Sequence, residues 1–366
     1  MKHPSEIISI EKANIIKSFS AEAEKAGTLQ PDQLKLIYEN KWFNLYVPAK
    51  YGGLELSLAQ GLEIEEAIAY ADGSTGWTVT LCSGANWFIG FLSQDAAQDI
   101  FQTSKVCLAG SGKPSGTAKI TNNGYEITGY WKYATGAPHA TIFTANCLLE
   151  KEGNILQDED GHPQVASFWF KKDEVTIDNN WNSFGMIATA SESFYVSQLI
   201  VPFNRRFNIN SKAAMLTNDV YQYPFLQFAE ATLAVNFSGM AMHFLDLCEP
   251  LFTSMEKNKY RDDASITILA GKLSNSRHSL NKYREAVYAS IEDSWQELQQ
   301  KKCINDALLQ RVSNSCRQLA LNARLLVEGL YPFCGLAAAN PSTEINRIWR
   351  DMHTATQHSL LNYPLS

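Results

Sequence analysis

The chain has 366 residues, a hydrophobic share of 45%, a charged share of 19% and a formal net charge of −7. That length is generous for one compact core, so two or three packed units are expected. The negative balance argues against a nucleic-acid partner held through its phosphates and against adhesion to an anionic membrane, and no apolar run reaches the roughly 20 residues of a spanning helix.

The opening MKHPSEIISIEKANIIKSFS lacks an apolar stretch followed by a small-residue cleavage site, so a secretory leader is not expected. Residues 5 to about 104 read as helices. IISIEKANIIKSFSAEAEKAG has apolar residues at three- and four-residue spacing and a C-cap glycine, Gly27. PDQLKLIYENKWF opens on Pro31 and Asp32, which suit a first turn. SLAQGLEIEEAIAYADG starts at a Ser57 cap and is expected to stop at Gly73.

From about 105 to 205 the period changes to alternation, rich in Thr, Tyr, Ile and Val and cut by glycine turns. NNGY at 122–125 predicts a two-strand turn, and SFYVSQLIVP a last strand stopped by Pro202. After a linker near 205–222, FLQFAEATLAVNFSGMAMHFLDLCEPLF is apolar nearly all round, as the centre of a bundle should be. Two long amphipathic segments follow. The pattern predicts an α-helical unit over 1–104, a β unit over 105–210 and a four-helix-bundle-like unit over 211–366.

Cys82, Cys107, Cys147, Cys248, Cys303, Cys316 and Cys334 are scattered and never spaced as CxxC, the pattern of buried free thiols in a reducing cytoplasm. No GxGxxG, GxxxxGK[ST], HExxH or GxSxG motif is present. In RIWRDMHTATQH, Arg347, Asp351, Thr354 and His358 step by four, three and four and would share one face of a helix. His353 and His358, five apart, diverge by about 140° around such a helix, so no metal is expected there. In GYWKYATGAPHA, Thr135 and its neighbouring amides sit at the mouth of a strand, where they suit a heteroaromatic ligand, with Trp131 and Tyr133 supplying ring surface. The plainer reading is turn chemistry, with His139 a satisfied edge residue. GSGKPSGTAK, residues 110–119, reads as a loop with backbone donors, and nothing in its spacing specifies phosphate.

Read in order, these segments resemble the acyl-CoA dehydrogenase superfamily. LYVPAKYGGLELSLAQGLEIEEAIAYADGSTGW is similar to its N-terminal VP..YGG segment and the helix after it. GYEITGYWKYATGAPHATIFTANCLL resembles its flavin-contacting strand and turn. FGMIATASESFYVSQLIVP resembles the strand pair that carries Gly-x-x-x-Thr-x-Ser, and INRIWRD its last-helix Arg-Asp. The resemblance implies an N-terminal helical domain, a β-barrel middle domain and a C-terminal four-helix bundle, with flavin between barrel and bundle, in a homotetramer.

The branch is a separate question. Dehydrogenases of the family commonly carry a catalytic glutamate eight residues beyond the last-helix Asp, and this chain has Ser359 there, preceded by His358. Some relatives keep the base on an earlier bundle helix, where this sequence offers Glu230. The segment that grips FAD phosphates in dehydrogenases has Arg261 here but no Phe-Gly partner. GYWKYATG..HA and RIWRDMHTATQH look more like the two-component flavin monooxygenases, which receive reduced FMN or FAD from a separate flavin reductase and oxidise small, often aromatic, substrates. That resemblance carries the flavin-side histidine to His358 and the hydroxyl at flavin N5 to Thr135. It makes Ser111 a further flavin contact, with Trp131 and Tyr133 bordering the ring and Arg347 and Asp351 holding the helix. Where many members have an early-helix histidine, this chain has Asn86. The reading is therefore a cytoplasmic flavin-dependent monooxygenase. The alternatives are an acyl-CoA dehydrogenase with tightly held FAD and Glu230 as base, or a non-catalytic ligand-binding scaffold.

Overall fold

A computed structural model describes residues 1–255 and 263–362. The first unit is helical: α1 (Ile10–Ala26), α2 (Pro31–Glu39), α3 (Leu58–Ala71), α4 (Gly73–Asn86) and α5 (Gln94–Ile100). Side-chain caps fix the starts. Ser57 accepts the Gln60 amide while Gln60 reaches back to the Ser57 amide, a reciprocal pair that satisfies two orphan donors at the start of α3. Gly27 ends α1 with φ of 70°. Gly73 does not end α3, as its sequence predicts. Asp72 leaves the helical region and caps α4 through the Thr75 amide at 2.8 Å, so Gly73 opens the next helix.

Eight strands follow: β1 (Leu108–Thr121), β2 (Gly124–Ala134), β3 (Ile142–Lys151), β4 (Asn154–Ile155), β5 (Val165–Lys171), β6 (Thr176–Asp178), β7 (Glu192–Val201) and β8 (Arg206–Phe207). Thr121 pairs with Gly124, so NNGY makes the expected two-residue turn. The strand order is β6-β7-β2-β1-β3-β5-β8, with β4 on β3 and the β1–β3 pair parallel. This path does not close into a ring, yet the sheet wraps. Phe143 on β3 and Phe194 on β7 lie three strand positions apart, about 14 Å on a flat sheet, and their rings are 4.8 Å apart. The middle unit is therefore barrel-like without full closure, wound around a core of Trp131, Phe143, Phe168, Phe170 and Phe194.

Past α6 (Asp219–Gln222), the long helices α7 (Phe225–Met255), α8 (Asp263–Lys301) and α9 (Asp306–Leu330) pack side by side. They are followed by the short α10 (Leu336–Ala339) and by α11 (Glu344–Ala355). The centre of α7 is buried on every side because it meets α3, α4, α8, α9 and α11; its near-continuous apolar sequence matches that position. Six of the seven thiols are buried; Cys303, at the end of α8, is exposed.

Candidate active site

The last helix and the end of the sheet meet at Met186, in the turn between β6 and β7. Asp351 on α11 accepts the Met186 N–H at 2.5 Å. The Met186 carbonyl accepts the Trp181 indole N–H at 2.9 Å and the Thr189 hydroxyl at 2.7 Å. Gly185 permits the approach, since a Cβ there would stand 2.0 Å from the Arg350 carbonyl oxygen. Arg350 also donates to the Phe184 carbonyl at 2.8 Å.

From this turn a chain of hydroxyls runs to the strand mouth. Thr189 and Ser191 are 2.8 Å apart, and Ser191 and Thr135 are 2.9 Å apart, all three buried. The Gly136 N–H donates to the Thr189 carbonyl at 2.9 Å, which locks the two strand ends together. Helix α4 forms the floor. Its Cys82 thiol lies 3.6 Å from the Thr135 carbonyl, and a Cβ on Gly136 would come within 2.9 Å of that sulfur. The sequence pattern Thr-x-Ser in IATASES carried Thr189 and Ser191 in plain sight, but only the fold shows that both converge on Thr135.

Charge is concentrated where α11 meets the start of α4. Arg347 stands 3.9 Å from Asp72, and Asp351 lies against Gly73. Burial, reinforced by the neighbouring Asp72 charge, pushes Asp351 up to about 8, while the Met186 amide and Arg347 oppose the shift. Asp351 is thus mainly protonated near neutral pH. Its other oxygen, Oδ2, is buried without a partner.

His358 does not share the helix face of Asp351 predicted for it. Helix α11 ends at Ala355, where Thr356 turns its hydroxyl back to the His353 carbonyl at 2.7 Å, and His358 instead caps a short 3₁₀ turn. Its ring meets Trp77 of α4 edge-on at 5.8 Å. Burial lowers its pKa, so the ring is neutral near pH 7. Because Nδ1 accepts the Leu360 N–H at 3.4 Å, the proton of the neutral ring belongs on Nε2. His358 therefore offers a donor on the Trp77 side of α4, while Thr135 reaches the same helix near Cys82.

Other expected residues lie elsewhere. Trp131 is wholly buried in the sheet core, stacked on Phe194 at 5.2 Å with its N–H on the Asn146 carbonyl, so it cannot border a ligand ring. The β2–β7 register shifts between Trp131 and Ala134, which breaks the alternation and turns Tyr133 outward against Trp181 at 5.0 Å. Ser111 spends its proton on the Lys132 carbonyl at 2.9 Å, beside Tyr133. Glu230 is buried between α7 and α9, where Arg317 donates to its Oε1 from Nε at 3.0 Å and Nη2 at 2.7 Å. Asn86 accepts the Leu108 N–H at 2.8 Å and donates to Asn44 at 2.6 Å, a clasp on the start of β1. His139 sits against the Thr28 hydroxyl at 3.1 Å, and burial lowers it to about 4. Arg261 lies outside the described residues.

One side of α4 is open. All of its residues are buried except Leu81 and Gly84, and Gly84 has only Phe228 within 4 Å of where a Cβ would stand. Phe88 continues that stripe beyond the helix and lies 5.8 Å from Phe225, itself exposed. With Trp77 and His358 at its inner end, this is an apolar, aromatic wall holding one hydrogen-bond donor. Together with the Thr135 mouth, whose hydroxyl has one partner and spare valence, it suits two flat ring systems.

The N-terminal domain model of the acyl-CoA dehydrogenase family matches residues 12–99, and its C-terminal domain model matches residues 232–363. Over 94% of this chain and 91% of its own length, the oxygenase subunit HsaA of a flavin-dependent monooxygenase from Rhodococcus jostii is 23% identical. Indole-3-acetate monooxygenase from Pseudomonas putida is also 23% identical, over 87% of this chain and 80% of its own. The structure of XiaF from Streptomyces, in complex with FADH2 and glycerol, superposes with a TM-score of 0.85 at 20% identity, covering 98% of this chain and 92% of that one.

Proposed function

The chain belongs to the acyl-CoA dehydrogenase family, and on that premise we propose that it is the oxygenase component of a two-component flavin-dependent monooxygenase acting on a small aromatic compound. The observation that carries this reading over desaturation is the state of the two dehydrogenase base positions. Ser359 stands where the family's common glutamate would be, and Glu230 is engaged by Arg317 on the α9 side of α7.

Reduced flavin, delivered by a partner reductase, supplies the electrons that activate O₂. The chain supplies the setting. Thr135 fixes the ring at the strand mouth, with Tyr133, Trp181 and Ser111 at its edge. Arg347 and Asp351 hold α11 and the Met186 turn against it. Trp77, Leu81, Phe88 and Phe225 exclude water from the substrate side. The His358 Nε2–H donates to a substrate oxygen or nitrogen and holds it in place.

The assembly we propose is a cytoplasmic homotetramer. Leu321 and Leu325, one turn apart on α9, are 39% and 51% exposed and Leu336 on α10 is 87% exposed, apolar side chains suited to burial by another copy. No helix among the described residues is long and apolar enough to cross a membrane.

The test is the absorption spectrum of the purified protein combined with oxygen uptake. The expected result is nearly colourless protein that hydroxylates an aromatic substrate only when reduced FMN or FAD is supplied. Yellow protein reduced by an acyl-CoA thioester would establish the dehydrogenase instead, and inertness in both assays would leave a ligand-binding scaffold.

A further inference from the structure

The hydroxyl chain at the strand mouth has a direction. The Met186 carbonyl can only accept, and it lies 2.7 Å from the Thr189 oxygen. Two acceptors at that distance would repel, so Thr189 must commit its one proton to Met186. At the next link Thr189 has no proton left, so Ser191 donates to it across 2.8 Å. Ser191 is then spent, and Thr135 donates to Ser191 across 2.9 Å. The start of the chain is fixed from both sides. The Met186 carbonyl accepts from the Trp181 indole, the Thr189 hydroxyl and, at 3.3 Å, the Thr189 N–H, while Asp351 holds the Met186 N–H. Thr135, Ser191 and Thr189 are each buried, so water does not readily reset the order.

The Thr135 hydroxyl thus has its proton turned inward and offers only lone pairs outward. A ligand atom opposite it must be a donor. In a flavin this condition depends on redox state: N5 carries a hydrogen when the ring is reduced and is a bare acceptor when it is oxidised. We propose that Ser191 is a positioning residue which, through Thr135, makes the site select reduced over oxidised flavin. This rests on the placement of flavin N5 at Thr135 under the proposed function. It adds a reason for the protein to accept its cofactor from a reductase and to release it after turnover: the hydrogen-bond polarity that favours the incoming form disfavours the outgoing one. The selection originates at the Met186 carbonyl and reaches the mouth through three hydroxyls.

The experiment measures dissociation constants for FMN and FAD in both redox states, anaerobically, with dithionite-reduced flavin as the second state. The wild-type protein should bind the reduced form about tenfold or more tightly than the oxidised form, the scale of one matched against one mismatched hydrogen bond. Ser191→Ala leaves Thr135 free to rotate and donate outward. Its oxidised-form affinity should rise and the preference collapse, which lowers the two-electron midpoint potential of the bound flavin by about 30 mV for a tenfold loss. Thr189→Val frees Ser191 to donate to Thr135 and should move the ratio the same way, which keeps the test available if one variant folds poorly. Thr135→Val removes the acceptor itself, so it should lose reduced-form affinity without lowering oxidised-form affinity. Equal wild-type affinity for both forms, or an equal loss for both in Ser191→Ala and Thr189→Val, would overturn the role of Ser191 and leave the monooxygenase reading standing. Failure of the wild-type protein to bind either flavin in either state would overturn both.

Discussion

Asp351 Oδ1 accepts the Met186 N–H at 2.5 Å, so a carboxyl group on the last helix anchors the turn whose carbonyl ends the Thr135–Ser191–Thr189 chain. The two family markers, the Arg-Asp of α11 and the Gly-x-x-x-Thr-x-Ser around β7, are one structural joint.

That joint has a pH signature. Asp351 titrates at about 8 in the fold against an ordinary value of 3.8. A carboxyl raised on folding favours the folded state fully below its unfolded pKa, and the benefit drains away as pH rises through the window from about 4 to 8. Asp351→Asn keeps an acceptor for Met186 and removes the titration. The unfolding free energy of the wild type, measured against Asp351→Asn, should therefore fall between pH 5 and pH 8, with a slope of up to about 1.4 kcal/mol per pH unit, and level off above. A constant offset across that range would contradict the protonated state assigned to Asp351.

The Glu230–Arg317 pair makes a second prediction. Glu230 has no exposure, and Arg317 supplies the partners of its Oε1. Arg317→Ala should cost about 3 kcal/mol or more in urea unfolding, because it strands a buried charge, whereas replacing both partners with Gln and Met should cost much less. Glu230→Gln should keep flavin-dependent oxygen chemistry in its folded fraction. Abolished turnover with unchanged stability would restore Glu230 as a proton acceptor.

Periodicity made the helical and β units and their order readable, since both α7 and the alternating strands bury what their patterns demand. The site was legible only in part. Thr135 and Asp351 fall in short motifs that fix their local backbone. Trp131 keeps the alternation of Tyr125 and Ile127 into the core, and the register shift between it and Ala134 turns only Tyr133 outward, so the two rings part company where no local rule announces it. The helix register that joined His358 to Asp351 stopped three residues early, at Ala355, where the next residue, Thr356, bonds back to the His353 carbonyl. Asn86 and Glu230 look available in sequence; their partners, Leu108 and Arg317, are set by tertiary contacts. Ser191 was present in the Thr-x-Ser pattern, but its use of both neighbours depends on two strand ends meeting.

Gly185 tests the joint mechanically. A methyl group there would collide with the Arg350 carbonyl of α11 at 2.0 Å, and helix backbone cannot yield as a flexible side chain would. Gly185→Ala should push the Met186 turn off Asp351. Flavin affinity should drop about tenfold or more, with a destabilisation of roughly 1–3 kcal/mol typical of overpacking. Wild-type affinity and melting temperature in this variant would show that the turn does not depend on contact with α11.

His358 is the remaining assignment. Its ring is neutral because burial lowers its pKa, and its Nδ1 is taken by Leu360, so Nε2–H is the donor left on a ring packed edge-on against Trp77. A donor of this kind needs no charge. His358 should therefore add no inflection to the activity profile near 6.5, where a free histidine would already have gained its proton. Folding follows the same sign: the unfolded chain takes up the proton near 6.5 and the folded ring resists, so stability falls as pH drops below that value. Removing the donor in His358→Ala should cut turnover with reduced flavin by about 100-fold, the lower range for a positioned proton donor. His358→Gln, whose amide also donates, should recover part of it, and flavin affinity should change little in either variant. Turnover within twofold of wild type in His358→Ala would remove His358 from the site and leave the aromatic wall of Trp77, Leu81 and Phe88 to hold the substrate by shape.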